Sequence, residues 1–387
     1  MRVCGIIAEY DPFHKGHAHH LACAREKSGA DYIICVMSGS FTQRGMPALL
    51  PTHTRAEMAL KNGADIILQM PYTVSVREAE YFALGGVHIL HSLKCVTHLS
   101  FGSEWDDLSQ LSRAAALLET PDETFDAAVQ ANLALGLSHA EAVGRALSQQ
   151  MDITPQTLNA PNTALALSYL RALIRLNSNI TPVPILRCAD YHAAELEAFP
   201  SATAMRGAIL RGDWQAIEKG IPECGLDILK KAVLEKQLCP PDGLDALLRQ
   251  KLLFSSADEI AQYPGISEGL EMRIKKAAES AATREELIRQ VKTRRYTHGR
   301  INRAFCHMIT GVKKAALSPL PDHARILGFK KSVTPLLRIM QKSDFPLITQ
   351  PARDEKMASD ILADEIWRIG ARLPLGETYR RPPVIVD

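Results

Sequence analysis

Short, continuous apolar runs recur through the first hundred residues, and each is followed by a segment of helical periodicity. Val3-Cys4-Gly5-Ile6-Ile7-Ala8 reads as a buried strand and His17 to Lys27 as a helix. Asp31 to Met37 is a second strand, and Thr54 to Lys61 is helical again. Ala64 to Gln69 gives a third strand, Val76 to Leu93 one long helix, and Val96 to Phe101 a fourth strand. Strands that are apolar throughout, rather than alternating, are buried on both faces. Helices between them then imply a parallel sheet covered on each side. Right-handed crossovers make this an α/β, doubly wound, Rossmann-like layout.

The pattern then changes. Asp106 to about Gln150 is Ala/Leu-rich and helical, and Pro161 to Leu176 is a helix with proline in its first turn. Pro184 to Arg187 looks like a strand returning to the sheet, and Ser201 opens a helix that runs to Leu210. From 216 to 315 the periodicity is mainly helical. From 316 to 387 short strands at 324–329 and 345–349 alternate with helices. The expected organisation is a Rossmann-like region over 1–215, a helical region over 216–315 and a small α/β region over 316–387.

Composition changes this picture little. With 387 residues, 46% hydrophobic and 23% charged, the chain can bury a sizeable core. A net charge of +2 neither requires nor excludes a nucleic-acid partner. The eight cysteines contain no C-x-x-C pair and several lie in apolar runs, as expected of reduced core residues in a cytoplasmic protein. No secretory leader is legible and no run approaches the roughly 18 apolar residues of a membrane span, so no membrane association is expected.

The candidate chemistry starts directly after the first strand. Glu9-Tyr10-Asp11-Pro12-Phe13-His14-Lys15-Gly16-His17 joins that strand to a helix. In an open α/β sheet ligands bind at the carboxyl ends of strands, and a helix N-terminus there offers N–H groups to a phosphate. Gly16 allows close approach of a nucleotide to the backbone. His14 and His17, three apart, project from one face of the first turn and can donate to a reacting phosphate. Phosphoryl and nucleotidyl transfer need chiefly such positioning and charge stabilisation. The competing readings are a polar surface loop and, because His19 and His20 follow, part of a zinc site. A second segment, Ser201-Ala202-Thr203-Ala204-Met205-Arg206, opens another helix. Ser201 or Thr203 could simply cap it, whereas Arg206 could grip the distal phosphates of a nucleotide.

A stretch from Leu287 to Leu320 lacks Asp and Glu altogether. It carries Lys292, Arg294, Arg295, Arg300 and Arg303 with Tyr296 among them, the local charge that suits a phosphate backbone and an aromatic that could stack on an exposed base. The loop from Ser38 to Gly45, at the edge that bears the His motif, offers Ser40, Gln43 and Arg44 as a substrate-facing wall.

The pair His14-x-Gly16-His17 and Ser201-x-Thr203-x-x-Arg206 resembles the signatures of the HIGH-type nucleotidyltransferase superfamily. The segments Glu9 to His14, Met37 to Gly45, Phe101 to Glu104, Pro161-Asn162, Tyr296 to Arg303 and Arg325 to Phe329 are similar to the bacterial tRNA(Met) cytidine acetate ligase family. The resemblance implies a Rossmann-like nucleotidyltransferase domain with a mainly helical C-terminal region. It implies ATP as cosubstrate, and acetate and the wobble cytidine of elongator tRNA(Met) as partners, joined through an acetyl-adenylate; Mg2+ is expected because ATP usually arrives with it. His14, His17 and Arg206 would then be catalytic. The ATP site it implies runs through Ile7, Ala8, Glu9, Tyr10, Asp11, Pro12, Phe13, His14, Lys15, Gly16, His17, Ala18, His19 and His20. Gly102, Asn162, Arg187, Cys188, Ser201, Thr203 and Arg206 complete it. The chain departs from the family pattern at Asp11, Thr52-His53 and Gln69. A small-molecule adenylyltransferase and a non-catalytic tRNA-binding protein are the alternative readings.

Overall fold

The computed structural model describes residues 1–387 except 106, 152, 159, 187–199, 294, 352, 353 and 379. Five parallel strands form its centre: β1 (Val3–Ala8), β2 (Tyr32–Ser38), β3 (Ile66–Met70), β4 (His98–Ser103) and β5 (Thr181–Leu186). Their order is β5-β4-β1-β2-β3, so the topology reverses between β1 and β4. That reversal opens a crevice at the carboxyl ends of these two strands, where the first loop emerges. The expected parallel sheet is present.

Three further strands extend it. β6 (Ala324–Lys330) pairs antiparallel with β3, and β7 (Leu347–Ile348) and β8 (Val384–Val386) pair parallel with β6. The segment from 316 onward therefore contributes its strands to the N-terminal sheet. β8 was not foreseen, because three residues after a Pro-Pro pair leave too short an apolar run to read.

Side chains alternate between the two faces, as the pleat requires. Ile34, Val36, Ile66 and Leu68 face one core, with helices Ala79–Ser92 and Pro161–Arg175. Ile6, Ile33, Cys35 and Ile67 face the other, with α1 (Lys15–Ser28), α2 (Thr52–Lys61) and helix Ala202–Arg211. Burial of each large aliphatic side chain contributes about 1.5–3 kcal/mol. A third core lies among helices Asp245–Phe254, Leu270–Ser280, Arg284–Val291 and His298–Thr310, and helix Ala358–Gly370 joins it through Ala363 and Trp367. Phe41, Tyr72 and Val76, from the loops at the carboxyl edge of the sheet, are also part of that core.

The long helix expected over 76–93 is present but starts later, at Ala79, and runs to Ser92, with a separate short helix Tyr72–Ser75 before it. The Val76 carbonyl accepts from His307 Nε2 at 2.8 Å, and Val76 itself has a non-helical ψ of 58°. Among the described residues no helix is long and apolar enough to cross a membrane, and seven free cysteines form no disulfide.

Gly45 docks the loop after β2 onto the helical core. Its φ is +75°, Arg284 Nη2 donates to its carbonyl at 2.7 Å, and a Cβ here would lie 2.7 Å from the Arg303 Cα, with backbone atoms of Asn302 and Arg303 closer still. Gly136 shares the positive φ, at +80°, but has open space around it. Gly136→Ala should therefore cost only the left-handed backbone penalty of about 1–2 kcal/mol. Gly45→Ala should cost clearly more, because rigid backbone has to move. Equal losses of melting temperature in the two variants would show that the docking at Gly45 is loose.

Candidate active site

α1 is capped by histidines. His14, the N-cap, has extended dihedrals (φ −141°, ψ 172°) and accepts the Gly16 N–H on Nδ1 at 3.1 Å. In return His17 Nδ1 accepts the His14 N–H at 3.2 Å. This is a capping box built from two imidazoles in place of Ser/Thr and Glu. Because each Nδ1 is an acceptor, each neutral ring carries its proton on Nε2. The rings stack with centroids 3.8 Å apart, so both Nε2–H groups belong to one compact pair. Tyr10 packs edge-on to Phe13 at 5.0 Å and to His17 at 4.9 Å, which fixes the second ring from below.

The loop that carries the pair is held from three directions. Leu49 N–H donates to Asp11 Oδ1 at 2.7 Å, and Arg206 Nη1 donates to the Asp11 carbonyl at 2.7 Å with Oδ2 at 3.4 Å. Burial raises the Asp11 pKa, against the pull of Arg55 and Arg206. Glu9 Oε1 accepts the Gln43 N–H at 2.5 Å, and burial pushes its pKa up as well. Beneath both loops lies Arg55, fully buried. It donates to the carbonyls of Glu9 (2.6 Å), Ser38 (3.2 Å), Gly39 and Leu50 (3.2 Å).

Beside β1, the end of β4 carries a second polar group. Gly102 lies in that strand, and Glu104 just beyond it receives the side chain of Asn162 at 2.5 Å. The same carboxylate takes the backbone N–H of Thr163 at 2.7 Å and its hydroxyl at 3.0 Å. A carboxylate on a helix N-terminus satisfies orphan donors and meets the positive end of the dipole. Burial pushes the Glu104 pKa up, but the donors from Asn162 and Thr163 outweigh it and leave it below the usual carboxylate value.

The structure thus brings together the His motif, Arg206 and the end of β4 with Asn162. Ser201 caps helix Ala202–Arg211 by accepting the Ala204 N–H at 3.2 Å, and Thr203 Oγ1 accepts from Arg206 Nη2 at 3.0 Å. His20 meets Ser100 at 3.1 Å and His19 meets Cys23 at 3.4 Å. No group of three or more potential metal ligands gathers among the described residues, as the zinc reading would need. Arg187 and Cys188 lie outside the described residues.

Other expectations need correction. Ser40 is buried: it donates to Asp364, sits 3.2 Å from the Thr52 hydroxyl and lines a small cavity with His53 and Arg381. Gln43 does reach the site through Glu9, and Arg44 is exposed. Tyr296 is a core residue, 8% exposed, with its hydroxyl donating to the carbonyls of Ser267 (3.1 Å) and Glu268 (3.3 Å). An aromatic so placed has no free face for a base. Arg300 is pinned to the Gly265 carbonyl at 2.7 Å and the Ser267 hydroxyl at 2.8 Å, Arg295 pairs with Glu268, and Arg303 lies 3.6 Å from Glu78. Lys292 is exposed, and Arg294 lies outside the described residues. Sequence reasoning missed Arg55 and Glu104. A signal for Arg55 existed, since it falls on the same face of α2 as buried Met58 and Ala59. Glu104 and Asn162 are 58 residues apart, with no spacing rule to connect them.

Residues 1–377 match the model of the HIGH nucleotidyl transferase family. Proteins named tRNA(Met) cytidine acetate ligase are similar along the whole chain. The one from Acetivibrio thermocellus is 34% identical, over 95% of this chain and 94% of its own. That from Halothermothrix orenii is 37% identical, over 90% and 87%. The chain belongs to the tRNA(Met) cytidine acetate ligase family of HIGH nucleotidyltransferases. Crystal structures of Thermotoga maritima TmcAL superpose over 100% of both chains at 28% identity. Their TM-scores are 0.92 for the form bound with alpha-thio ATP and 0.90 for the apo form. The chain thus shares its fold with a protein solved with an ATP analogue, and the histidine caps stand at the start of α1, directly after β1.

Glu104 gives a pH test. Its folded pKa is depressed, so its contribution to stability is present above the unfolded value of about 4.3 and fades as pH falls through the folded one. Wild type should melt above Glu104→Gln at pH 7, and the gap should close on acidification below about pH 4. A gap that stays constant with pH would remove the carboxylate charge from the capping role.

Proposed function

We propose that this protein ligates acetate to a tRNA cytidine at the expense of ATP, by way of acetyl-adenylate. Acetate attacks the α-phosphorus of ATP and pyrophosphate leaves. The exocyclic amine of the cytidine then attacks the acetyl carbonyl, forming N-acetylcytidine and releasing AMP. A mixed anhydride suits this pair, because acetate is a poor electrophile and the cytosine amine a poor nucleophile. ATP arrives as its Mg2+ complex, since hard oxygen ligands on phosphate favour that ion. The wobble cytidine of elongator tRNA(Met) is the acceptor, and the enzyme works in the cytoplasm, in keeping with its reduced cysteines.

The observation that carries the reading is the stacked His14–His17 pair at the N-terminus of α1, with both Nε2–H groups held as donors by the capping box. Such preorganised donors stabilise the charge that builds at the α-phosphate during attack. Arg206, on the opposite side of the same loop, takes the departing pyrophosphate. The family names of the relatives agree with this chemistry.

Incubation with labelled acetate, ATP and bulk tRNA tests it. Label should appear on tRNA, with AMP and pyrophosphate released. Adenylylated small molecule as the product, or no turnover at all, would refute it. His17→Ala should slow acetate-dependent pyrophosphate release a hundredfold or more while ATP still binds. Arg206→Ala should weaken ATP, by roughly 1.5–3 kcal/mol for a charged hydrogen bond, yet spare AMP. Equal losses for the two nucleotides in calorimetry would assign Arg206 to holding Asp11 instead.

A further inference from the structure

The second step of the proposed reaction needs a base. The cytosine amine is a poor nucleophile, and its attack on an acyl phosphate leaves a proton on nitrogen that must be removed. The histidine pair cannot take it. Each Nδ1 already accepts a backbone N–H, and each neutral Nε2 carries a hydrogen.

Glu9, Asp11 and Glu104 stand just past the carboxyl ends of β1 and β4, and the last two are fully engaged. Asp11 is 6% exposed, with Oδ1 taken by the Leu49 N–H and Oδ2 beside Arg206. Glu104 gives Oε1 to Asn162 and Oε2 to Thr163. Glu9 differs. The Gln43 N–H anchors its Oε1 at 2.5 Å, while no donor among the described residues meets Oε2. The side chain is half-buried, so that second oxygen is left to solvent or to a ligand.

Glu9 also lies on the side where the acetyl group must be. Along β1 the side chains alternate. Ile6 packs into the core shared by α1 and helix Ala202–Arg211, and Ile7 into the opposite core, shared by helix Pro161–Arg175. Tyr10 returns to the α1 side. Glu9 faces Tyr169 of helix Pro161–Arg175, whose pKa its charge raises on top of burial. Displacement at phosphorus runs in line, with attacking and leaving oxygens on opposite sides. Arg206, which takes pyrophosphate, stands on the α1 side. Acetate therefore arrives from the other side, and the acetyl group stays there.

Burial raises the Glu9 pKa and Asp11 adds to it, while Arg44 and Arg55 pull the other way without cancelling it. A carboxylate raised in this way is a stronger base than an exposed one and lies closer to the pH at which general bases work best.

We infer that Glu9 is the general base of acetyl transfer. Its Oε2 accepts a hydrogen of the cytidine amine as the nitrogen bonds to the acetyl carbon. The bond from that carbon to the phosphate oxygen breaks, its electron pair leaves with AMP, and the proton stays on Glu9 until solvent takes it. The inference rests on the ligase reading above and names the group that receives the proton.

Two half-reactions of the full-length protein test it. Acetate-dependent exchange of pyrophosphate into ATP, without RNA, reports the first. Single-turnover transfer from synthetic acetyl-adenylate to tRNA reports the second. Glu9→Gln keeps an acceptor for the Gln43 N–H and removes the base. It should slow transfer about a hundredfold or more, the order that general-base catalysis contributes, and exchange by less than about tenfold. Hydroxylamine attacks acyl phosphates unaided, so the variant should still form acetohydroxamate from acetate and ATP, which a collapsed site could not do. In the wild type the transfer rate should fall on acidification through a pKa above the ordinary carboxylate value, because only ionised Glu9 accepts a proton. Asp11 in the same loop, Arg44 after β2, Arg55 on α2 and Tyr169 also face this carboxylate, and all four remain in the variant. The acid limb should nonetheless vanish in Glu9→Gln. Equal losses in exchange and transfer, or an acid limb that persists, would overturn the base and leave Glu9 as a holder of the Gln43 loop. A wild type that neither exchanges pyrophosphate nor acetylates tRNA would refute the ligase reading itself, and the base with it.

Discussion

The Arg55 guanidinium lies where two strands run out of sheet. β1 and β2 pair as far as Ala8 and Met37, and the carbonyls of Glu9, Ser38 and Gly39 lie beyond the last pair of that ladder. Arg55 takes all three and adds that of Leu50, so one planar fork replaces a missing stretch of ladder. The burial lowers its pKa, while the nearby carboxylates of Asp11, Glu9 and Asp364 favour the charge. Removing such a group would strand four carbonyls and take one counter-charge from Asp11, Glu9 and Asp364, a loss of the kind that costs several kcal/mol. The loop bearing His14 and the loop bearing Gln43 both hang from this one side chain, so it sets the spacing of the two loops at the carboxyl edge of the sheet.

The histidine cap shows how structure and chemistry share the same atoms. Ser at position 14 and Glu at 17 would cap α1 just as well. They would not place two stacked imidazoles at the helix end. Nδ1 of each ring serves the backbone, and Nε2 of each is thereby kept in its donor state. The cap is thus a tautomer lock, set by the backbone N–H groups of Gly16 and His14.

Legibility in the sequence followed the range of the interactions. The strands were readable because their runs are apolar on both faces, and residues 7–20 because strand, loop and helix start are contiguous. The start of α1 was misplaced by two residues, since histidine is outside the usual set of caps. The late start of helix Ala79–Ser92 was invisible: the Val76 carbonyl just before it bonds to His307, 231 residues further on. Tyr296 illustrates the limit of composition. A tyrosine among arginines reads as a stacking platform, yet its ring packs with Leu270 and Ile274 in the helical core and Arg300 lies 5.1 Å over it. Charge density along a chain says nothing about which charges the fold has already used. Several of these arginines hold carbonyls of neighbouring turns.

The strand β6 carries a consequence for how the molecule comes into being. It completes the sheet beside β3, and helix Ala358–Gly370 reaches the loop after β2 through Trp367, whose Nε1 donates to the Ala48 carbonyl 319 residues away at 2.6 Å. A ribosome that has made the nucleotide crevice has therefore not yet made the residues that brace it. Until the last few dozen residues emerge, the β3 edge is open to foreign strands, and Arg55 sits in a half-built wall. Closure of that edge is thereby deferred to the finished polypeptide, and a chain broken off late in translation would be prone to aggregate.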